Sequence, residues 1–187
     1  MQKTDDSFLS LSELSKMPFK HVGSNVLISR KASFYGIKDI IIGNDVRIDD
    51  FCILSGKIKL GNNIHISAQC ALYGAMGIEM ADFSGLSPGC KVFSTSDDFS
   101  GNLLVGPMVP AKFTNVKGGK VYINKYAQIG AGSIIFPGIT VDEGVAVGAM
   151  SLVNKSLDPW GIYAGIPVQY IKERSKKIIE LALKLKT

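Results

Sequence analysis

Two histidines, three cysteines and Asp97-Asp98, one of three pairs of adjacent aspartates, are the residues of this 187-residue chain whose types and spacing invite chemistry. His65 follows Asn62, Asn63 and Ile64. An imidazole with an ordinary pKa of about 6.5 beside two amides suits a general base with polar groups at hand to hold an acceptor. The same residue also reads as an ordinary exposed turn residue. His21, in Phe19-Lys-His-Val, has no such company and reads as a surface or packing residue. Asp97 and Asp98 stand at the start of a long irregular stretch. They suit holding an acceptor or orienting a base, and equally capping the first turn of that stretch. Cys52, Cys70 and Cys90 are odd in number and widely spaced, which opposes a disulfide framework and favours small buried thiols. There is no P-loop and no Gly-x-Gly-x-x-Gly.

The elements that must position these residues follow from an internal repeat. A large apolar residue recurs every six positions: Val22, Ile28, Phe34, then Ile42, Ile48, Leu54, Leu60, Ile66, Leu72, Met80, Leu86, Val92, and after a break Ile123, Ile129, Ile135, Val141, Val147, Val153. A period of six fits neither a helix nor an alternating strand. It fits a short strand and a corner, with Gly, Asn or Asp supplying the turn. Three hexads make one triangular coil, and coils stack in parallel about 4.8 Å apart. The eighteen hexads therefore predict an all-β solenoid of about six coils. The spacing interruptions after Phe34, Leu72 and Val92 all fall between face three and face one, so all three emerge at one corner of the prism. The cysteines each take the fifth place of a face-two hexad and should stack inside successive coils.

Open solenoid ends need covers. Ser10-Leu-Ser-Glu13 is a capping box that predicts a short helix to about Met17. A second helix is expected over 168–184. The chain thus divides into a single domain over 1–187: an N-terminal cap (1–20), a β-helix (21–167) with a loop at 96–120, and a C-terminal helix (168–187). Most of the net charge of +5 gathers in the tail from Lys172 to Lys186, where six Lys or Arg stand against two Glu, which reads as a solvated helix face. Without a basic face on the body, nucleic-acid binding is not expected. No apolar run reaches membrane-span length, and the acidic start MQKTDDSFLS lacks the charge of a signal peptide; a cytoplasmic location is expected.

The hexads, together with Ile48-Asp-Asp-Phe-Cys-Ile-Leu-Ser-Gly56, Ser96-Asp-Asp-Phe-Ser-Gly101, Val109-Pro-Ala-Lys-Phe-Thr-Asn-Val-Lys117, Ile129-Gly-Ala-Gly-Ser133, Phe136-Pro-Gly138 and Trp160-Gly-Ile-Tyr-Ala-Gly-Ile-Pro167, carry a resemblance over nearly the whole chain. It resembles the hexapeptide-repeat acyltransferases, and among them the sugar O-acetyltransferases of the galactoside and maltose type and of O-antigen and capsule pathways. The resemblance implies a left-handed coil, where the crossover rule alone would give a right-handed one. It also implies a homotrimer, with acetyl-CoA as co-substrate in a groove between subunits.

The function so implied is acetyl transfer from acetyl-CoA to a saccharide hydroxyl in surface polysaccharide or lipopolysaccharide synthesis. Two alternatives stand beside it: N-acetylation of a nucleotide-linked amino sugar, and a trimeric scaffold without catalysis. Many relatives carry a catalytic histidine at the start of the long loop. Here Phe93-Ser-Thr-Ser-Asp97-Asp98 occupies that place, and Asp97 stands near the missing histidine. The implied catalytic residues are His65, Asp97 and Asp98, with Asn62, Asn63 and Tyr73 for the acceptor. The implied acetyl-CoA contacts are Ala131, Ala149, Asn154, Lys155 and Lys172, with Lys112 and Lys117 as looser candidates. No metal is expected, since the γ-class carbonic anhydrases of this repeat need three histidine ligands and the chain has two.

Overall fold

The computed structural model describes residues 7–185. It is a left-handed β-solenoid of about seven turns. The hexad residues stack in register as three inward columns. Face one runs Val22, Ile42, Leu60, Met80, Ile123, Val141. Face two runs Ile28, Ile48, Ile66, Leu86, Ile129, Val147. Face three runs Phe34, Leu54, Leu72, Val92, Ile135, Val153. The register crosses the long break unchanged, because Met80 pairs with Ile123 and Val92 with Ile135. Nearly all of these side chains are fully buried, so the core is one continuous aliphatic column.

On faces one and two each hexad residue closes its strand; the corner follows it, and the next strand starts four or five places later. Ile64–Ile66 shows the consequence: Ile64 and Ile66 are buried and His65 points out from the middle of the strand. The fourth and sixth places after a hexad residue therefore face inward and the fifth faces outward, as strand alternation requires. Each coil needs a left-handed residue at each corner. Between faces one and two this position is held by Asn25, Asp45, Asn63, Phe83, Tyr126 and Trp160, all with φ of 52–63°. Gly144 joins this column at φ +69°, and a Cβ there would meet the Trp160 ring at 2.4 Å.

The cysteines stack inside as the register predicts. Their thiols donate to corner carbonyls of the next coil: Cys52 to Ser67 at 3.1 Å, Cys70 to Ser87 at 3.1 Å, Cys90 to Gly130 at 3.2 Å. All three are free thiols. Hydrogen bonds with the flanking Cys52 and Cys90, and then burial, push the Cys70 thiol up.

The N-terminal cap helix is Leu11–Lys16, with Ser10 and Glu13 forming the reciprocal capping box and Leu14 buried on the core. The C-terminal end departs from expectation. A seventh turn adds Leu157 under Val141 and Tyr163 beside Val147. Residues Gln169–Glu173 are a strand, not the first part of a helix, and fold back antiparallel on Gly161–Ala164. Tyr170 meets Tyr163 edge-on at 5.5 Å, which makes pairing with the last coil the better use of this segment. The helix is confined to Lys177–Lys184. No helix among the described residues is long and apolar enough to cross a membrane.

Candidate active site

The long insertion leaves after Phe93 and returns at Val121–Ile123, forming an arm on the corner between faces three and one. Its root is a short antiparallel pair, Thr95–Ser96 against Lys117–Gly118. Buried Ser94 pins that root. Its hydroxyl donates to the Tyr73 carbonyl at 2.9 Å and accepts from the Met76 amide at 2.9 Å. Its carbonyl accepts from the Gly119 amide at 2.9 Å. A Cβ on Gly118 would lie 2.2 Å from the Ser94 carbonyl oxygen, so this approach requires glycine.

Between arm and solenoid lies a cavity of about 660 Å³. Phe93, Phe99, Val109, Val116 and Phe136 give it apolar walls, and Asp97 is the single charged side chain that lines it. The Asp97 carboxylate is half-buried and has no partner among the described residues. Its neighbour differs. Asp98 accepts from the Ser100 amide at 2.9 Å and from the Asn115 side chain at 3.0 Å, tying the two limbs of the arm together. The Ser100 contacts, then Asn115, hold its carboxyl down at about 2. A carboxylate so held is a weak base, and in this structure Asp98 clamps the arm.

Tyr73 lies on the same corner, stacked on Phe93 with centroids 5.2 Å apart. Asn154 sits one coil above Phe136 in register. Lys155 follows, lining a polar cleft of about 410 Å³ with Trp160, Tyr163 and Tyr170. Lys172, on the final strand opposite Ile162, lies outside that lining. The apolar cavity thus lies at the arm corner, and the chain leads from Asn154 on that corner through Lys155 into a cleft at the C-terminal end of the solenoid that reaches Trp160 and Tyr163. A thioester arm ending in a phosphorylated nucleotide fits that sequence of surfaces.

The remaining expected residues lie elsewhere on the prism. Ala131 and Ala149 are at the corner between faces two and three, where the Met150 amide donates to the Ala131 carbonyl at 2.8 Å. Asn62 and Asn63 are at the corner between faces one and two. Asn62 accepts from the Asn44 amide at 2.9 Å and its own side chain donates to Asp82 at 3.1 Å, so it is a rung in a corner ladder. Asn63 supplies a left-handed turn, φ 56°. Stacking of the coils engages Asn62, and the turn takes Asn63.

His65 is on face two, in mid-strand and not at a corner. Its Nε2 lies 2.7 Å from Asp49 Oδ2, and its Nδ1 lies 3.5 Å from the Ser67 hydroxyl. Arg47 Nε donates to the other Asp49 oxygen at 2.7 Å. Burial pulls the Asp49 carboxyl up, but the hydrogen bonds from Arg47 and His65 outweigh it and leave it below the usual value. Within one chain, then, Asp97, Tyr73, Asn154 and Lys155 share a corner, while His65, Ala131 and Ala149 do not join them. Sequence reasoning missed Ser94 and Asp49. The stacking of one coil on the next was the signal for Asp49, since Arg47 pairs with His65 across coils. Among the described residues no three His, Cys, Asp or Glu side chains converge as a metal site.

The fold is a left-handed β-helix with an arm folded over an apolar cavity at one corner. No family model matches the chain. It is 42% identical over 178 residues to the dTDP-4-amino-4,6-dideoxy-D-glucose acyltransferase of Escherichia coli, covering 94% of this chain and 93% of that protein. AntD, an N-acyltransferase from Bacillus cereus solved with dTDP and 3-hydroxybutyryl-CoA, is 56% identical and superposes with a TM-score of 0.94 over 96% of each chain. The acetyltransferase domain of PglB from Neisseria gonorrhoeae, 19% identical with a TM-score of 0.60 over 78% of this chain and 57% of that one, shares the fold. This chain belongs to the hexapeptide-repeat acyltransferases of the left-handed β-helix type. It is an enzyme, which removes the scaffold alternative. The relatives matched along the whole chain are amino-sugar acyltransferases, which corrects the expected kinship with galactoside and maltose O-acetyltransferases.

Proposed function

We propose that this enzyme transfers an acetyl group from acetyl-CoA to the amino group of a dTDP-linked amino sugar of the 4-amino-4,6-dideoxyhexose kind. The observation that carries the reading is the likeness, end to end, to the E. coli and B. cereus amino-sugar acyltransferases. Solved forms of the B. cereus protein include one bound to dTDP-4-amino-4,6-dideoxyglucose and coenzyme A. O-acetylation, the first expectation, yields to the N-acetyl alternative.

The site supports this chemistry. An amine must lose one proton to become a nucleophile; it does not need the strong base that a sugar hydroxyl demands. Asp97, unpartnered and facing the cavity, takes that proton from the ammonium. The nitrogen lone pair then attacks the thioester carbonyl carbon, the C–S bond breaks, and the thiolate departs with a proton. The apolar walls keep water from competing. Asp97 is our choice of base because it faces the cavity of its own arm, whereas His65, oriented by Asp49 on face two, meets an arm only across the subunit boundary. Tyr73 contributes to the acceptor side. Asn154 and Lys155 lead the donor toward its nucleotide cleft, and Lys172 stands near that end.

We infer a homotrimer, in which one subunit's arm corner meets its neighbour's face two and the Ala131–Ala149 corner, completing the pantetheine track. The arm favours this, because Phe99, Leu104 and Met108 are 83%, 60% and 94% exposed. A cytoplasmic enzyme of surface-polysaccharide synthesis fits substrates of this kind. Incubation with acetyl-CoA and either dTDP-4-amino-4,6-dideoxyglucose or its 4-hydroxy counterpart tests the reading. Thiol release and a product one acetyl heavier are expected with the amine alone; equal release with the hydroxyl sugar would restore O-acetylation.

A further inference from the structure

On the N-terminal side of the arm, face one carries a second recess that the donor track does not use. It has a volume of about 330 Å³ and is lined by Lys20, Lys57, Lys59 and Lys120 with two carboxylates, Asp39 and Glu79. The two short insertions at the arm corner build its wall: one carries the 3-10 turn Ile37–Asp39, the other brings Met76 and Gly77. Glu79 is bridged by Lys59 at 2.6 Å and Lys120 at 2.8 Å. Those contacts, Lys120 first, hold the Glu79 carboxyl below its usual value. Lys20 and Lys57 are exposed and have no partner among the described residues. The recess therefore gathers four ammonium groups against two carboxylates, with Lys59 and Lys120 held on Glu79.

Its position matters as much as its charge. Lys120 is the residue after the arm's return, and the arm root pairs Ser96 with Lys117. Continuing that ladder, Lys120 falls opposite position 93, so at about 3.3 Å per residue and about 4.8 Å between strands the Lys120 and Asp97 backbones are roughly 14 Å apart. The lysine and aspartate stems cover part of that distance, and a pyranose ring with a phosphate on C1 and an amine on C4 bridges the rest. Met76, which lines the recess, also touches the root, since a Cβ on Gly118 would lie 3.0 Å from its sulfur. The donor cleft at Lys155 and Trp160 lies on the opposite, C-terminal side of the arm.

We propose that this lysine recess is the diphosphate subsite for the nucleotide-linked acceptor, so that donor and acceptor reach Asp97 from opposite sides of the arm. The proposal rests on the functional reading above. Lysine ammoniums recognise phosphate as point charges without demanding one geometry. Coenzyme A also contains a diphosphate, so the same chemistry has two sources and the experiment must separate them.

The test compares the full-length enzyme with the Lys20→Gln/Lys57→Gln double variant. The KM for the dTDP-amino sugar is expected to rise about tenfold or more while kcat and the KM for acetyl-CoA stay put. Calorimetric titration with dTDP and with inorganic pyrophosphate should show binding to wild type and loss in the double variant. Glu79→Gln should act in the opposite sense and tighten pyrophosphate, because it releases Lys59 and Lys120. An unchanged acceptor KM in the double variant overturns the proposal. So does a rise in the acetyl-CoA KM alone, which would assign the recess to the donor. If wild type acylates no dTDP-amino sugar, the functional reading fails instead. The pyrophosphate titration then decides the recess: equal binding by wild type and double variant, or none by either, overturns it.

Discussion

At the arm root Asp97 faces a cavity with its carboxylate unpaired, whereas on face two His65 is tied to Asp49 and Asp49 to Arg47. Both regions carry groups able to move a proton. They differ in what the fold does with them. A regular face stacks each outward residue over another at strand spacing, so complementary side chains meet and satisfy one another. An insertion at a corner interrupts that stacking and leaves a polar group with space in front of it. Asp97 and Asp98 repeat the lesson at closer range, since Asp98 is occupied by Ser100 and Asn115 while Asp97 is not.

The most drastic way to break the comparison is to remove the irregular region. Replacing residues 99–117 by a short Gly-Ser link should leave the solenoid folded, because Val92 and Ile135 pair without help from the arm. Acetyl transfer should vanish while the thermal melt stays cooperative. Transfer at the parent rate would show that the cavity plays no part.

Asp97→Ala should lower kcat by about 10² to 10⁴, the usual worth of a positioned base, with acetyl-CoA binding intact by titration. A variant that keeps wild-type turnover would move the base to His65 or to the substrate itself.

Asp98→Asn tests the clamp and should cost about tenfold in kcat, the scale of a small misplacement of the reacting groups. Acid offers a milder version of the same experiment. The Asp98 carboxyl is lowered from 3.8 to about 2, so its contribution to arm order is complete above about 4 and is lost as pH falls through about 2. The protection of the Ser100 amide relative to its intrinsic exchange rate at each pH should fall across that window, and protection that does not change there would remove Asp98 as the clamp.

His65→Ala should change turnover within about threefold, as befits an outward side chain in a satisfied cluster. A larger loss, with a pH profile shifted by Asp49→Asn, would reverse the ranking of the two regions.

The hexads made most of the architecture legible. Every inward column, the single corner shared by all insertions and the cysteine stack follow from residue types repeated at one spacing, and the Ser10–Glu13 cap follows from a local capping box. Where the pattern became irregular, legibility ended. Leu157 and Tyr163 extend the solenoid by a turn, yet Leu157 comes four residues after Val153 and so breaks the period. The strand Gln169–Glu173 looked helical because its apolar residues also suit a helix face, and only contact with the last coil selects the strand.

By itself, the sequence determined a solenoid, its register and the corner from which the arm emerges, because burying one aliphatic residue per hexad is a local requirement repeated along the chain. Only the tertiary structure decided which polar side chains remain available. Asp49 reaches His65 across coils, and Asp98 reaches Asn115 across the arm. Asn62 reaches Asp82, while Asp97 reaches nothing among the described residues. Such pairings depend on which groups come within about 3 Å after the coils stack and the arm closes, and no periodicity in the chain encodes that distance.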